Sequence, residues 1–225
     1  MNKLLNIYKS LLKKYGPQGW WPLLGYNNEK IINNPESQKG YHPGDYSFPK
    51  NNRQRFEVCT GAILTQNTAW SNVEKALINL KKGNLLNAKA INEADIDIIK
   101  ECIRPAGYFN QKSVYLKELS EFFISFKGKI PERNDLLKVK GIGPETADSI
   151  LLYAYNQPEF IVDNYTKRIF SDLGFFKNSA EYYEVKEVFS GKLPQDIVIY
   201  QEFHALIVVH AKINYSRKTV RQTHA

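Results

Sequence analysis

The 225-residue sequence predicts an all-α protein built as two helical lobes. Two observations predict this. Apolar residues recur at helical spacing along most of the chain, as in Ala147, Ile150, Leu151 and Ala154, which fall at i, i+3, i+4 and i+7. The helical runs are joined by short turns rich in Gly and Pro, such as Gly128–Pro131 and Gly141-Ile142-Gly143-Pro144. A chain of this length can bury a sizeable core in one or two small domains. The expected division puts residues 1–55 with 164–225 in a terminal lobe and 56–163 in a central lobe, with a helical hairpin at 134–156.

Taken in order, residues 2–15 form a first helix with Leu4, Leu5, Tyr8, Leu11, Leu12 and Tyr15 on one stripe. Gly19-Trp20-Trp21-Pro22 follows, with two of the three tryptophans adjacent. It reads either as an aromatic anchor closing a loop or as a wall for a flat ligand. Residues 26–55 are dense in Asn, Gly, Pro and charge, the composition of an extended loop. His42 and Asp45 lie in it without enough neighbouring ligands to hold a metal, so no metal site is expected. From Phe56 to Leu80 the pattern is helical again, with Phe56, Cys59, Ile63 and Leu64 on one buried face and Val73, Ala76, Leu77 and Leu80 on a second. The polar phrase at 64–70, LTQNTAW, divides the two. Its Gln66 reads equally as a cap of the second helix or as a contact to a ligand. Residues 85–127 give further amphipathic helices around a turn at 103–112, with Lys112 expected on the solvated surface.

The stretch from Leu136 to Asp163 carries the most chemistry. Gly141 and Gly143 are expected to supply the positive φ of a tight hairpin and to let another backbone come close. Pro144 then opens a helix at the position that suits it. The free N–H groups at that helix start make an anion site, with the charges of Lys138 and Lys140 beside it. Asp163 precedes a helical run at 165–173, where an aspartate is a good N-cap. Helices at 181–190 and 195–213 close the chain. His204 and His210 in the last are six apart, which is no one-face metal pair, and read as packed or hydrogen-bonding side chains.

The net charge is +8 (31 basic against 23 acidic residues), a mild attraction to polyanions. Two cysteines, Cys59 and Cys102, make neither a disulfide scaffold nor a four-cysteine metal centre. No signal peptide or membrane span is legible, and a soluble cytoplasmic protein is expected.

The order LTQNT at 64–68, Gly107-Tyr108-Phe109-Asn110-Gln111-Lys112, Gly141-Ile142-Gly143-Pro144-Glu145-Thr146-Ala147 and then Asp163 resembles the helix-hairpin-helix, endonuclease III-like superfamily of DNA glycosylases. With Trp20-Trp21-Pro22 and His210-Ala211-Lys212 it is most similar to the 3-methyladenine DNA glycosylase III branch. The resemblance implies a cleft between the lobes and a monomer acting on double-stranded DNA that contains a damaged base. Lys138, Lys140, Gly141, Ile142, Gly143 and Thr146 would grip the DNA, and Gln66 would fill the gap left by the flipped base. Asp163 would be catalytic, and Trp20, Trp21, Pro22, Glu145 and Lys212 would form the base pocket. Bifunctional relatives carry a lysine at the position of Glu145, and a carboxylate cannot form their Schiff base. The resemblance therefore implies a monofunctional glycosylase with little lyase activity, acting on an alkylated purine such as 3-methyladenine. It also allows a monovalent cation on the hairpin carbonyls. Endonuclease III continues into a four-cysteine iron–sulfur cluster, whereas this chain has Ile213-Asn214-Tyr215-Ser216-Arg217-Lys218, so no cluster is expected. The alternatives are a mismatch or oxidised-base glycosylase of the same fold and a non-catalytic helix-hairpin-helix DNA-binding protein.

Overall fold

The computed structural model describes residues 2–26 and 40–215, which form eleven α-helices and one short 3-10 turn with no strand among them. The chain divides into two compact units, residues 1–46 with 157–225, and residues 47–156.

The terminal unit contains α1 (Lys3–Tyr15), α9 (Asn164–Asp172), α10 (Tyr182–Ser190) and α11 (Ile197–Asn214). Helix α11 is buried without interruption from Tyr200 to Val209, as its apolar composition on all sides requires. Its Phe203 meets Tyr8 of α1 at 5.5 Å between ring centroids, and Phe170 of α9 at 5.9 Å. Phe160 stacks on Phe189 at 4.3 Å, which binds the segment 157–163 to this unit. At the far end Tyr15 Oη and His210 Nδ1 are 2.9 Å apart, so His210 joins α1 to α11.

The loop expected at 26–55 is shorter than its composition suggested. Residues 27–39 and 216–225 lie outside the described residues, and with them most of that loop and the last part of the segment that replaces the cluster cysteines. At the other end of the loop, residues 52–55 are helical. Asn51 caps α2 (Asn52–Leu64) by accepting from Gln54 N at 3.0 Å. Arg55 then donates to Ala154 O at 3.0 Å and lies over the Tyr155 ring, contacts with a distant helix that composition could not show.

In the central unit α2 is buried on every side from Phe56 to Leu64, rather than on one face as its first half suggested. Helices α3 (Trp70–Lys82) and α6 (Phe109–Phe126) pack on it, while α4 (Ala88–Glu93) packs on α6, α5 (Ile96–Ile103) on α3 and α6, and the 3-10 turn Arg104–Ala106 on α3. The hairpin helices α7 (Arg133–Leu137) and α8 (Pro144–Tyr155) complete it. They are clamped by Arg133 Nε, 2.7 Å from the fully buried Asp148 carboxylate. Among the described residues no helix is long and apolar enough to cross a membrane.

Candidate active site

The hairpin turn is made by backbone bonds, Val139 N to Leu136 O at 3.0 Å and Ile142 N to Val139 O at 3.1 Å. Ile142 is buried and anchors the turn. Gly141 has φ +90°, and a Cβ there would stand 2.2 Å from Cγ of the Tyr115 ring, so glycine is required twice over. The expectation for Gly143 is corrected. Its backbone is extended (φ −91°, ψ −178°) and a Cβ would meet nothing within 4 Å. Its missing side chain therefore serves no internal packing and leaves the backbone open from outside. No side chain caps the start of α8 at Gly143, and Pro144 follows at N1. Lys138, Lys140 and Glu145 are exposed around this start, Lys138 lying 3.6 Å from Asp135.

Gln66 lies between α2 and α3. Its Nε2 donates to Gly141 O at 2.9 Å and to the buried Thr146 Oγ1 at 3.0 Å. It is fastened to the hairpin and does not cap α3, whose N-cap Ala69 makes no side-chain bond. The same loop is held by Lys112, and here the sequence reading is overturned. Lys112 is 2 % exposed, with Nζ donating to Leu64 O, Thr68 Oγ1 and Ala106 O at 2.8, 2.7 and 2.9 Å. Three ammonium hydrogens meet three acceptors, which makes burial of the charge tolerable. Burial pushes its pKa down to about 8. Nothing local marks it as buried, because its acceptors come from two segments, the 64–68 loop and the turn at Ala106.

In the terminal unit Asp163 caps α9. Its Oδ1 accepts from Thr166 N at 2.7 Å, and its Oδ2 lies 3.8 Å from His204 Nε2. The two side chains are 13 % and 7 % exposed. Burial pushes the His204 pKa below its usual value, with the charge of Asp163 opposing. The His204 ring also meets Trp20 edge-on, at 5.7 Å and 86°. Trp20 is in turn edge-on to Trp21, at 6.4 Å and 82°. Trp21 and Pro22 are buried and Trp20 is half-buried, so Trp20 is the more accessible ring of the pair.

The aromatic turn is set by buried polar groups. The Glu202 carboxylate, 1 % exposed, accepts from Gln18 N at 2.8 Å, from Gly19 N at 2.9 Å and from the Tyr46 hydroxyl. Burial raises its pKa, with these hydrogen bonds opposing. The ring nitrogens of His42 lie 2.7 Å from Asp45 O and 3.0 Å from Trp21 O, so this residue clips the loop to the aromatic turn. Among the described residues no three His, Cys, Asp or Glu are grouped to hold a metal. Lys212 lies half-buried in the last turn of α11. The sequence did not mark Glu202 at all, and it left His204 as a packed or hydrogen-bonding side chain without naming Asp163 and Trp20 as its neighbours. Helix α11 is apolar all round, so no stripe tells which of its faces a given polar residue occupies.

The structure thus gathers Asp163, Trp20, Trp21 and Pro22 in one unit, and Gln66, Thr146 and the 138–143 turn in the other. In the solved structures, the H. pylori 3-methyladenine DNA glycosylase MagIII bound to 1,N6-ethenoadenine superposes with a TM-score of 0.70 at 28% identity, covering 93% of this chain and 96% of that one. A trapped endonuclease III–DNA covalent intermediate has a TM-score of 0.73 over 96% of this chain and 89% of that one, at 17% identity, a likeness of fold. A candidate DNA repair glycosylase of Methanocaldococcus jannaschii is 43% identical over 220 residues, 93% of this chain and 87% of that protein. Endonuclease III of Sulfolobus acidocaldarius is 32% identical over 178 residues, 75% of this chain and 78% of that protein. Residues 60–195 match the model of the HhH-GPD superfamily base excision DNA repair proteins, and the chain belongs to that family.

Proposed function

We propose that this protein is a monofunctional DNA glycosylase that hydrolyses the N-glycosidic bond of an alkylated purine such as 3-methyladenine in double-stranded DNA. The observation that carries this reading is the grouping of the half-buried Asp163 and Trp20 on the buried His204, a carboxylate and an indole meeting at one imidazole. In the proposed reaction the bond from the sugar to the base breaks with its electron pair leaving on the base. Asp163 stabilises the positive charge that develops on the sugar and takes a proton from the attacking water. A purine methylated on a ring nitrogen is already cationic, leaves readily and is attracted to the face of an indole. Trp20, Trp21, Pro22 and Lys212 are assigned to the base pocket. Lys138, Lys140 and the 141–143 backbone are assigned to a DNA phosphate. The 28% identity to MagIII over nearly the whole chain supports an alkylated base over an oxidised one.

Glu145 stands at the start of α8 and offers no amine for a Schiff base. No step is assigned to a cation on the hairpin, where Gly141 O already accepts the Gln66 amide, nor to an iron–sulfur cluster. The protein is proposed to act as a monomer inside the cell. The test is a panel of duplexes carrying 3-methyladenine, 1,N6-ethenoadenine, hypoxanthine, uracil, thymine opposite guanine, and 8-oxoguanine, each assayed with and without borohydride. Release of alkylated purines without a trapped protein–DNA adduct is expected. Release of 8-oxoguanine alone would sink the substrate assignment, and an adduct would sink the monofunctional one.

A further inference from the structure

We infer that His204 is a positioning residue for the reaction proposed above, orienting the second carboxylate oxygen of Asp163 and backing the Trp20 ring. The inference rests on that reading. The two oxygens of Asp163 are set differently: Oδ1 is fixed by the Thr166 amide of its own helix, while Oδ2 faces His204 Nε2. The separation of 3.8 Å exceeds a hydrogen bond, whose donor–acceptor distance is about 2.7–3.2 Å. Catalytic hydrogen bonds in ligand-free enzymes are often long and tighten when substrate binds. The imidazole itself is held firmly, in the middle of a helix buried on all sides.

The chemistry favours a neutral imidazole in this place. Burial lowers the His204 pKa, so at neutral pH the ring carries one N–H. With that hydrogen on Nε2, the ring can donate to Oδ2 and fix its direction while leaving the carboxylate charge undiminished for the sugar. An imidazolium would neutralise part of it. The same ring touches Trp20, so a base stacked on that indole and the direction of Oδ2 are joined through one side chain. This differs from a packing role, in which any side chain of similar volume would serve.

The experiment compares His204→Leu, which keeps volume but has no donor, with His204→Gln, whose amide places an N–H near the former Nε2. Single-turnover release of 3-methyladenine, affinity for a duplex bearing a stable abasic analogue, and thermal midpoint are measured for each. Misplacement of a reacting group by about 1 Å costs on the order of 10²-fold in rate, so a loss of about that size is expected for His204→Leu, with about tenfold regained in His204→Gln. Duplex affinity and midpoint should stay close to the parent in both. A His204→Leu variant as fast as the parent overturns the inference. So does an equal loss in both variants, or a loss that tracks the midpoint, since either marks packing alone. A parent that releases no base from any duplex overturns the glycosylase reading and this inference with it, whereas an active parent with an unaffected leucine variant overturns only the role of His204.

Discussion

The two oxygens of Asp163 meet different neighbours, Thr166 N and His204, and this decides how it should be mutated. One oxygen caps α9 through Thr166 N, so part of any alanine effect would be structural. Asparagine caps a helix as well as aspartate does, whereas alanine costs about 1 kcal/mol. Asp163→Asn is therefore expected to keep the parent's midpoint in urea and to lose base release by at least about 10²-fold, the usual scale for removing a general base. Release at the parent's rate by a folded Asp163→Asn protein would remove the carboxylate from the mechanism. Lys112 teaches the same lesson about context. Its sequence surroundings are those of a surface lysine, yet its ammonium lies at the meeting of Leu64, Thr68 and Ala106 and fixes the loop that presents Gln66.

At the scale of elements, the hairpin shows why two glycines in one short motif are not equivalent. At Gly141 a methyl group would collide with the Tyr115 ring and the backbone is left-handed, so Gly141→Ala should unfold or severely weaken the central unit. At Gly143 the backbone is ordinary and the space beside it is open. Gly143→Ala should leave stability within about 0.5 kcal/mol of the parent. It should nonetheless weaken binding to undamaged duplex, because the added methyl stands where a phosphate would approach the amides. Melting curves and fluorescence anisotropy check the pair. Unchanged duplex binding by Gly143→Ala would mean that the phosphate sits elsewhere. The hairpin itself was legible in the sequence, since its turn chemistry is local. The start of α2 was not, because Arg55 is drawn into a helix by contacts to Ala154 and Tyr155 that are remote in the chain.

At the scale of the whole molecule, the +8 charge is a statement about polyanions that only the placement of lysines makes specific. Lys138 and Lys140 are both exposed at the turn. If each neutralises a phosphate, Lys138→Ala and Lys140→Ala should each lower the slope of log affinity against log salt by about 0.9. Lys89→Ala, at an exposed lysine of α4, should leave it unchanged. Affinities for one duplex measured from low to moderate salt test this, and equal slopes for all three variants would dissociate the turn from DNA binding. The two compact units also follow from chain-wide packing, with the segment 157–163 drawn to the terminal unit by Phe160 against Phe189.

The sequence by itself determined the helical class, the hairpin with its glycine-proline turn, and an aspartate at the head of a helix. Each of these depends on residues a few positions apart, where backbone preference and periodicity act directly. Tertiary structure alone decided that Lys112 is buried, that Gln66 is fastened to Gly141 and Thr146, and that His204 stands between Asp163 and Trp20. The physical reason is the same in each case. A helix such as α11, largely apolar around its circumference, has no stripe to reveal which face meets which neighbour, and the partners of a buried polar group come from segments far away in the chain.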